Sequence, residues 1–212
     1  PLSLALERAG ELPLPPYLQR PEQPQDRARY QTVYASKSGA VAAPTAGLHL
    51  SQSVLNELKA KGVASAHLTL HVGPGTFQPI RSERVEDHEL MPEYCVVPGE
   101  TAEAIARCQA GGGRVAAVGT TVVRSLEKSA QVGGGEVVAW EGFNPLYLYP
   151  GGPPFQVVDT LLTNFHLPDS SLIQLVAAFA GVERTKQAYD HALAGDYRFY
   201  SYGDANWIER LP

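Results

Sequence analysis

The sequence predicts an α/β protein: a mixed sheet with helices packed around it. Two features carry that prediction. Short runs of strand-like alternation are interleaved with longer segments whose apolar residues recur at helical spacing. Glycine clusters, above all Gly111 to Gly113 and Gly133 to Gly135, stand between the two kinds of segment. The length of 212 residues fits one domain, or at most two.

The elements follow in order. Leu2 to Arg8 has helical spacing, and Pro13 to Pro24 is too rich in proline to continue it. "GAVAAPTAGLHL" gives a short buried strand that ends at Pro44. A helix starts at Ser51 or Ser53 with a hydroxyl cap, turns Val54, Leu55 and Leu58 inward, and stops at Gly62. Ala66 to Val72 alternates as a strand, with Leu68, Leu70 and Val72 on one face and Thr69 and His71 on the other. Gly73-Pro74-Gly75 then turns with little side-chain bulk. Thr101 caps a helix that runs through Gln109. "RVAAVGTTVVRSLEKSAQ" is the clearest βα unit: strand Arg114 to Val118, a turn at Gly119, then a helix capped by Thr120 or Thr121 with Val122, Val123 and Leu126 inward. Further strands are expected over Glu136 to Trp140, Leu146 to Tyr149 and "FQVVDTLLTNF". The last helices are "SSLIQLVAAFAG", apolar on nearly every side, and Thr185 to Ala194.

Composition excludes several classes. The net charge of −5, with lysines and arginines thinly spread, argues against a sequence-blind nucleic-acid binder, which needs a basic stripe. A few local phosphate contacts remain compatible with it, and the segment Arg20 to Lys37 is the nearest to a basic arm. Cys95 and Cys108 form no CxxC pair. No apolar run is long enough to span a bilayer as a helix. HExxH, GxGxxG, Walker and GxSxG patterns are all absent, which removes zincins, ordinary dinucleotide and P-loop sites, and serine-elbow hydrolases.

In α/β sheets, ligands gather where strands run out into helices. Three such loops hold chemistry-bearing residues: His71 with Gly73, Gly75 and Thr76; Gly119-Thr120-Thr121 with Arg124; and "TNFHLPDSS", with Asn164 and His166. Asp87, His88 and Glu93 surround another turn, and Tyr202-Gly203-Asp204 lies near the C-terminus. The residues alone therefore give an α/β protein with a polar, histidine-containing, loop-built pocket.

At these same loops the sequence resembles the S-adenosylmethionine:tRNA ribosyltransferase-isomerase (QueA) family of queuosine biosynthesis. The matching stretches are "LPLPPYL", "DRARYQTVYASKSGAVAAPTAGLHL", "LHVGPGTFQPIR", "AVGTTVVRSLE", "VVDTLLTNFHLPDSSLIQLVAAFAG" and "YRFYSYGDA". They occur in the family's order and cover most of the chain from Leu12 to Ala205.

The resemblance implies transfer and isomerisation of the ribosyl part of S-adenosylmethionine onto 7-aminomethyl-7-deazaguanine at the wobble position of tRNA. Adenine and methionine leave, and epoxyqueuosine is formed. No metal or cofactor is implied beyond S-adenosylmethionine as co-substrate. The implied partners are that tRNA and S-adenosylmethionine, with no membrane; a cytoplasmic monomer is expected.

On this reading His71, His166, His88, Glu93 and Asp204 are candidate catalytic residues. His49, Gly73, Gly75, Thr76, Thr120, Thr121, Arg124, Asn164 and Tyr202 would bind substrate, and Arg27, Arg29, Tyr30 and Lys37 would meet tRNA. Residues 1–24 read as a connector from a missing N-terminal part, and 25–212 as the catalytic domain, with the family's small β-barrel domain largely absent. The sequence departs from the family pattern at Met91, where a second histidine is usual, at Asn144-Pro145 and at Asn206-Trp207. The alternatives are a relative that binds S-adenosylmethionine or tRNA without turnover, and one that acts on a free nucleoside.

Overall fold

The computed structural model describes residues 10–73 and 80–211. The fold is mixed α/β, with two small sheets rather than the single mixed sheet expected. The first sheet is antiparallel, in the order β1 (Thr69–His71), β2 (Glu93–Val97), β4 (Trp140–Asn144), with Leu70 opposite Cys95 and Cys95 opposite Gly142. In the second, β3 (Ala116–Val118) runs parallel to β5 (Thr160–Asn164), and β6 (Ala205–Glu209) pairs antiparallel on the far side of β5. Six α-helices accompany them among the described residues: α1 (Asp26–Arg29), α2 (Gln52–Ala60), α3 (Gly99–Ala110), α4 (Thr120–Val132), α5 (Ser171–Ala180) and α6 (Val182–Ala194).

Helix α4 explains why two sheets make one core. It packs against β2 and β4 of the first sheet and β3 and β5 of the second. Val123, Leu126 and Ala130 join Val97, Leu148, Leu161, Leu175 and Phe179 in a single apolar cluster. A helix covered on both sides must also bury polar residues, and its two buried charged ones are bonded. Arg124 pairs with Glu93, and the Glu127 carboxylate accepts the backbone N–H groups of Gln156, Val157 and Val158 at 2.7, 3.1 and 3.0 Å. Buried carboxylates persist only when bonded in this way. Arg124 and Glu127, one turn apart on α4, are both buried, with separate partners.

Other boundaries shift for local reasons. Strand β4 starts at Trp140 instead of Glu136 because the Ser129 hydroxyl takes both the C=O and the N–H of Val138 (2.6 and 2.9 Å), removing that residue from any ladder. Leu146 to Tyr149 is no strand: the Leu146 N–H donates to the Asn144 side chain and its carbonyl accepts from Arg124. Strand β3 begins at Ala116, since the Val115 N–H donates to the Asp159 carboxylate. In place of the expected strand ending at Pro44 the backbone bends at Val41 and Ala42, whose N–H groups both donate to the Val72 carbonyl, and a 3-10 turn follows over Thr45–His49.

The helix caps divide. Ser51 caps α2 by accepting from the Val54 N–H, and Ser170 caps α5 by accepting from Ile173. Thr101 does not cap α3; its hydroxyl donates to the His67 carbonyl from within the first turn. Neither Thr120 nor Thr121 caps α4, whose N-cap is Gly119 at φ +100°. Helix α2 buries none of its residues, so Val54 and its neighbours form a surface face and not a core one. The expected helix Leu2 to Arg8 lies outside the described residues.

Candidate active site

Parallel strands β3 and β5 end side by side, and a pocket opens beyond their C-terminal ends, where the topology of α/β sheets places ligands. One wall is the run from Val118 to Val122, where Gly119 swings the chain from β3 into α4. The opposite wall is Thr163 to Leu167 with Ser170, the passage from β5 to α5. Ala43 to Ala46 cover it together with Leu70 and Val72 of the first sheet, so the pocket lies between the two sheets. Tyr17, Tyr200 and Ser201 close the remaining side: Tyr17 and Ser201 share a hydroxyl–hydroxyl hydrogen bond, and the Tyr17 and Tyr200 rings lie 4.8 Å apart.

The pocket is largely apolar, with few polar groups. The Thr163 hydroxyl and His166 Nε2 lie 2.9 Å apart, and the His166 N–H donates to the Tyr189 hydroxyl at 2.8 Å. Burial pushes the His166 imidazole down to about 4, so it is neutral at physiological pH. Next along β5, the Asn164 side chain accepts from the Thr45 hydroxyl (3.2 Å) and its amide meets His49 Nε2 (3.0 Å). Burial lowers the His49 pKa, opposed by the nearby Asp204 carboxylate. An amide that accepts from Thr45 through its oxygen donates through its nitrogen, which leaves His49 Nε2 as the acceptor. Helix α4 starts at the pocket without a side-chain cap, so its first N–H groups and the buried Thr120 remain for a ligand's negative end.

Of the residues singled out from the sequence, Thr120, Thr121, Asn164 and His166 come together here; His49 adjoins them through Asn164, and the Asp204 carboxylate is near His49. Tyr17, Thr45, Thr163 and Ser201 were missed. Thr163 stands beside Asn164 in a stretch already marked, and Tyr17 sits in "LPLPPYL", so the signal for both was present.

The remaining candidates lie elsewhere. Leu70 on β1 and Val72 just beyond it line the pocket, and His71 between them lies against Gly39 and 5.8 Å from the Tyr94 ring. Gly75 and Thr76 lie outside the described residues; Gly73 borders them without lining the pocket. His88 sets its ring edge-on to Tyr147 at 5.3 Å, and burial lowers its pKa. Glu93 and Arg124 form a buried ion pair at 2.7 Å, and Arg124 also donates to the Leu146 and Asn144 carbonyls at 2.9 and 3.1 Å. That arrangement also gives the Asn144 departure a structural task.

Arg27 pairs with Glu22, Lys37 is exposed, and Tyr30 is buried with its ring 5.8 Å from that of Tyr202. Arg29 and Tyr202 line a second groove nearby. Met91 is exposed. Among the described residues no group of His, Cys, Asp or Glu is placed to hold a metal ion, and no helix is long and apolar enough to cross a membrane.

Comparison with known proteins gives the family. A family model described as queuosine biosynthesis protein matches residues 1–208. The chain is also similar to the crystal structure of an S-adenosylmethionine tRNA ribosyltransferase from Thermotoga maritima, with 40% identity and a TM-score of 0.64. The match covers 77% of this chain and 51% of that one, so this chain spans about half the length of the relative.

Proposed function

The chain belongs to the queuosine biosynthesis protein family, and on that premise we propose that it transfers and isomerises the ribosyl group of S-adenosylmethionine. The acceptor is 7-aminomethyl-7-deazaguanine in tRNA, and adenine and methionine are released. The observation that supports this reading most is the pocket itself: largely apolar, at a strand-end crevice, with a neutral histidine and an uncapped helix terminus facing it.

Such a reaction needs a group to take a proton beside the sulfonium, a donor for the departing adenine, and exclusion of water. His166, kept neutral, is able to accept a proton, and Thr163 fixes its ring. The uncapped terminus of α4 with Thr120 and Thr121 suits the carboxylate of the methionine part. Asn164 orients His49 beside Asp204. One Asp204 oxygen accepts the Arg198 N–H at 2.7 Å, and the other is left to the aminomethyl group of the acceptor base.

The test is adenine release from S-adenosylmethionine, followed by mass spectrometry, with and without tRNA carrying the deazaguanine base. Release that requires this tRNA is expected. S-adenosylmethionine bound without any release would make the protein a binding module. Release with a free nucleoside but not with tRNA would assign a different acceptor.

A further inference from the structure

A second groove, of about 440 Å³, lies next to the pocket. Consecutive residues separate the two: Tyr17 faces the pocket and Leu18 the groove, and likewise Ser201 the pocket and Tyr202 the groove. The Tyr17–Ser201 hydrogen bond joins these two segments into one thin wall.

The charges in the groove do not balance. Its only carboxylate among the described residues, Asp26, is saturated: it accepts two bonds from Arg20 (2.6 and 2.9 Å), one from the Gln23 N–H (2.8 Å) and one from the Tyr202 hydroxyl (3.2 Å). These donors, Arg20 first, hold its carboxyl well below the usual carboxylate range. Arg29 and Arg198 also line the groove, and among the described residues neither guanidinium has a hydrogen bond or ion pair. Among the described residues, two arginines without an ion pair thus stand beside a neutralised pair, and the Asp204 carboxylate is bonded only to the Arg198 backbone N–H. The groove is locally positive on a chain of net charge −5.

We propose that Arg29 and Arg198 bind a backbone phosphate of the RNA, the one flanking the nucleotide whose base enters the pocket. Guanidinium forks match phosphate oxygens in pairs, and two of them can share one phosphate. The thin wall supplies the geometry, because a nucleotide's phosphate and base diverge from one sugar across a comparably short span. The site rests on the proposed function, since it takes its ligand from the tRNA. It also rebuilds the expected tRNA contact surface: Arg29 stays, Arg198 joins it, and Arg27, already paired with Glu22, does not.

The experiment measures binding of the tRNA that carries the deazaguanine base to the whole protein, from about 50 to about 200 mM salt. The Arg29→Gln/Arg198→Gln double variant should lower the log–log salt slope by roughly 0.7 to 0.9, the share of one phosphate. Between those salt concentrations it should therefore lose about three-fold less affinity than the unaltered protein. Lysine at both positions should restore the slope, Arg184→Gln on α6 should leave it unchanged, and matching thermal midpoints keep the fold out of the comparison. An unaltered slope in the double glutamine variant, or an equal loss with Arg184→Gln, overturns the site and leaves the proposed function standing. No binding of this tRNA by the unaltered protein removes both.

Discussion

Replacing Arg124 by Met decides whether this residue serves the fold or the substrate. The buried pair with Glu93 has both side chains only 7% exposed, so Met leaves an uncompensated carboxylate in the interior. Breaking such a pair from one side costs about 3–5 kcal/mol. The Leu146 and Asn144 carbonyls lose their donors as well, each worth about 1 kcal/mol when partly recovered by relaxation. A total of about 5–7 kcal/mol takes much of the roughly 5–15 kcal/mol that a domain has. With a urea slope of about 2–3 kcal/mol/M, the unfolding midpoint should drop by about 2–3 M. Adding Glu93→Gln removes the stranded charge and should return about 2–3 kcal/mol, a coupling that a double-mutant cycle reads directly. A variant that unfolds at the wild-type midpoint but no longer binds S-adenosylmethionine would refute this reasoning and put Arg124 against the ligand.

His166 also sets a pH dependence. Its folded value of about 4 lies below the unfolded 6.5, so the unfolded chain protonates first as pH falls. Stability is fully present above pH of about 6.5 and declines toward pH 4, by at most roughly 3 kcal/mol; His166→Gln should flatten that part of the urea-midpoint profile. Asn164→Ala cuts Thr45 and His49 loose from each other; single-turnover adenine release should slow by about 10- to 100-fold while S-adenosylmethionine affinity changes less, and an unchanged rate would remove the His49 arm from the chemistry. In Gly203→Ala the new methyl runs into the Arg198 carbonyl and the Phe199 backbone, so a destabilisation of about 1–3 kcal/mol is expected. Because that turn carries both Arg198 and Ser201, titrations with S-adenosylmethionine and with tRNA should weaken together.

Local signals in the sequence reach as far as local bonds decide the structure. The βα unit around Gly119 is legible because strand period, glycine break and helix period all lie within one window. Asn164 and His166 are legible as pocket residues for a similar reason: they sit where a strand meets a proline and a capped helix. The misplaced strands fail where a distant side chain captures a backbone group. Ser129 does so at Val138, Asp159 at Val115, and Arg124 at Leu146, and no window of neighbouring residues reveals those partners. His71 shows a different limit. Its strand face follows from alternation, yet which face meets the pocket depends on how one sheet sits against the other. The two-sheet arrangement is itself set by α4, whose buried arginine and glutamate look like surface residues until their partners are known.

The same helix links fold to chemistry. Its buried polar residues anchor the chain on both flanks: Glu93 at the start of β2, and residues 156–158 leading into β5. These anchors leave the N-terminal turn of α4 free of any side-chain cap, directed at the pocket beside Thr163 and His166. Had Thr120 capped the helix, as its position suggests, one of the N–H groups available to an anion would have been used internally. An uncapped terminus is a stability cost of about 1 kcal/mol that a bound carboxylate can offset. S-adenosylmethionine should therefore raise the melting temperature of the protein, and an analogue lacking the methionine carboxylate should raise it less. Equal stabilisation by both compounds would mean that the helix terminus faces some other group.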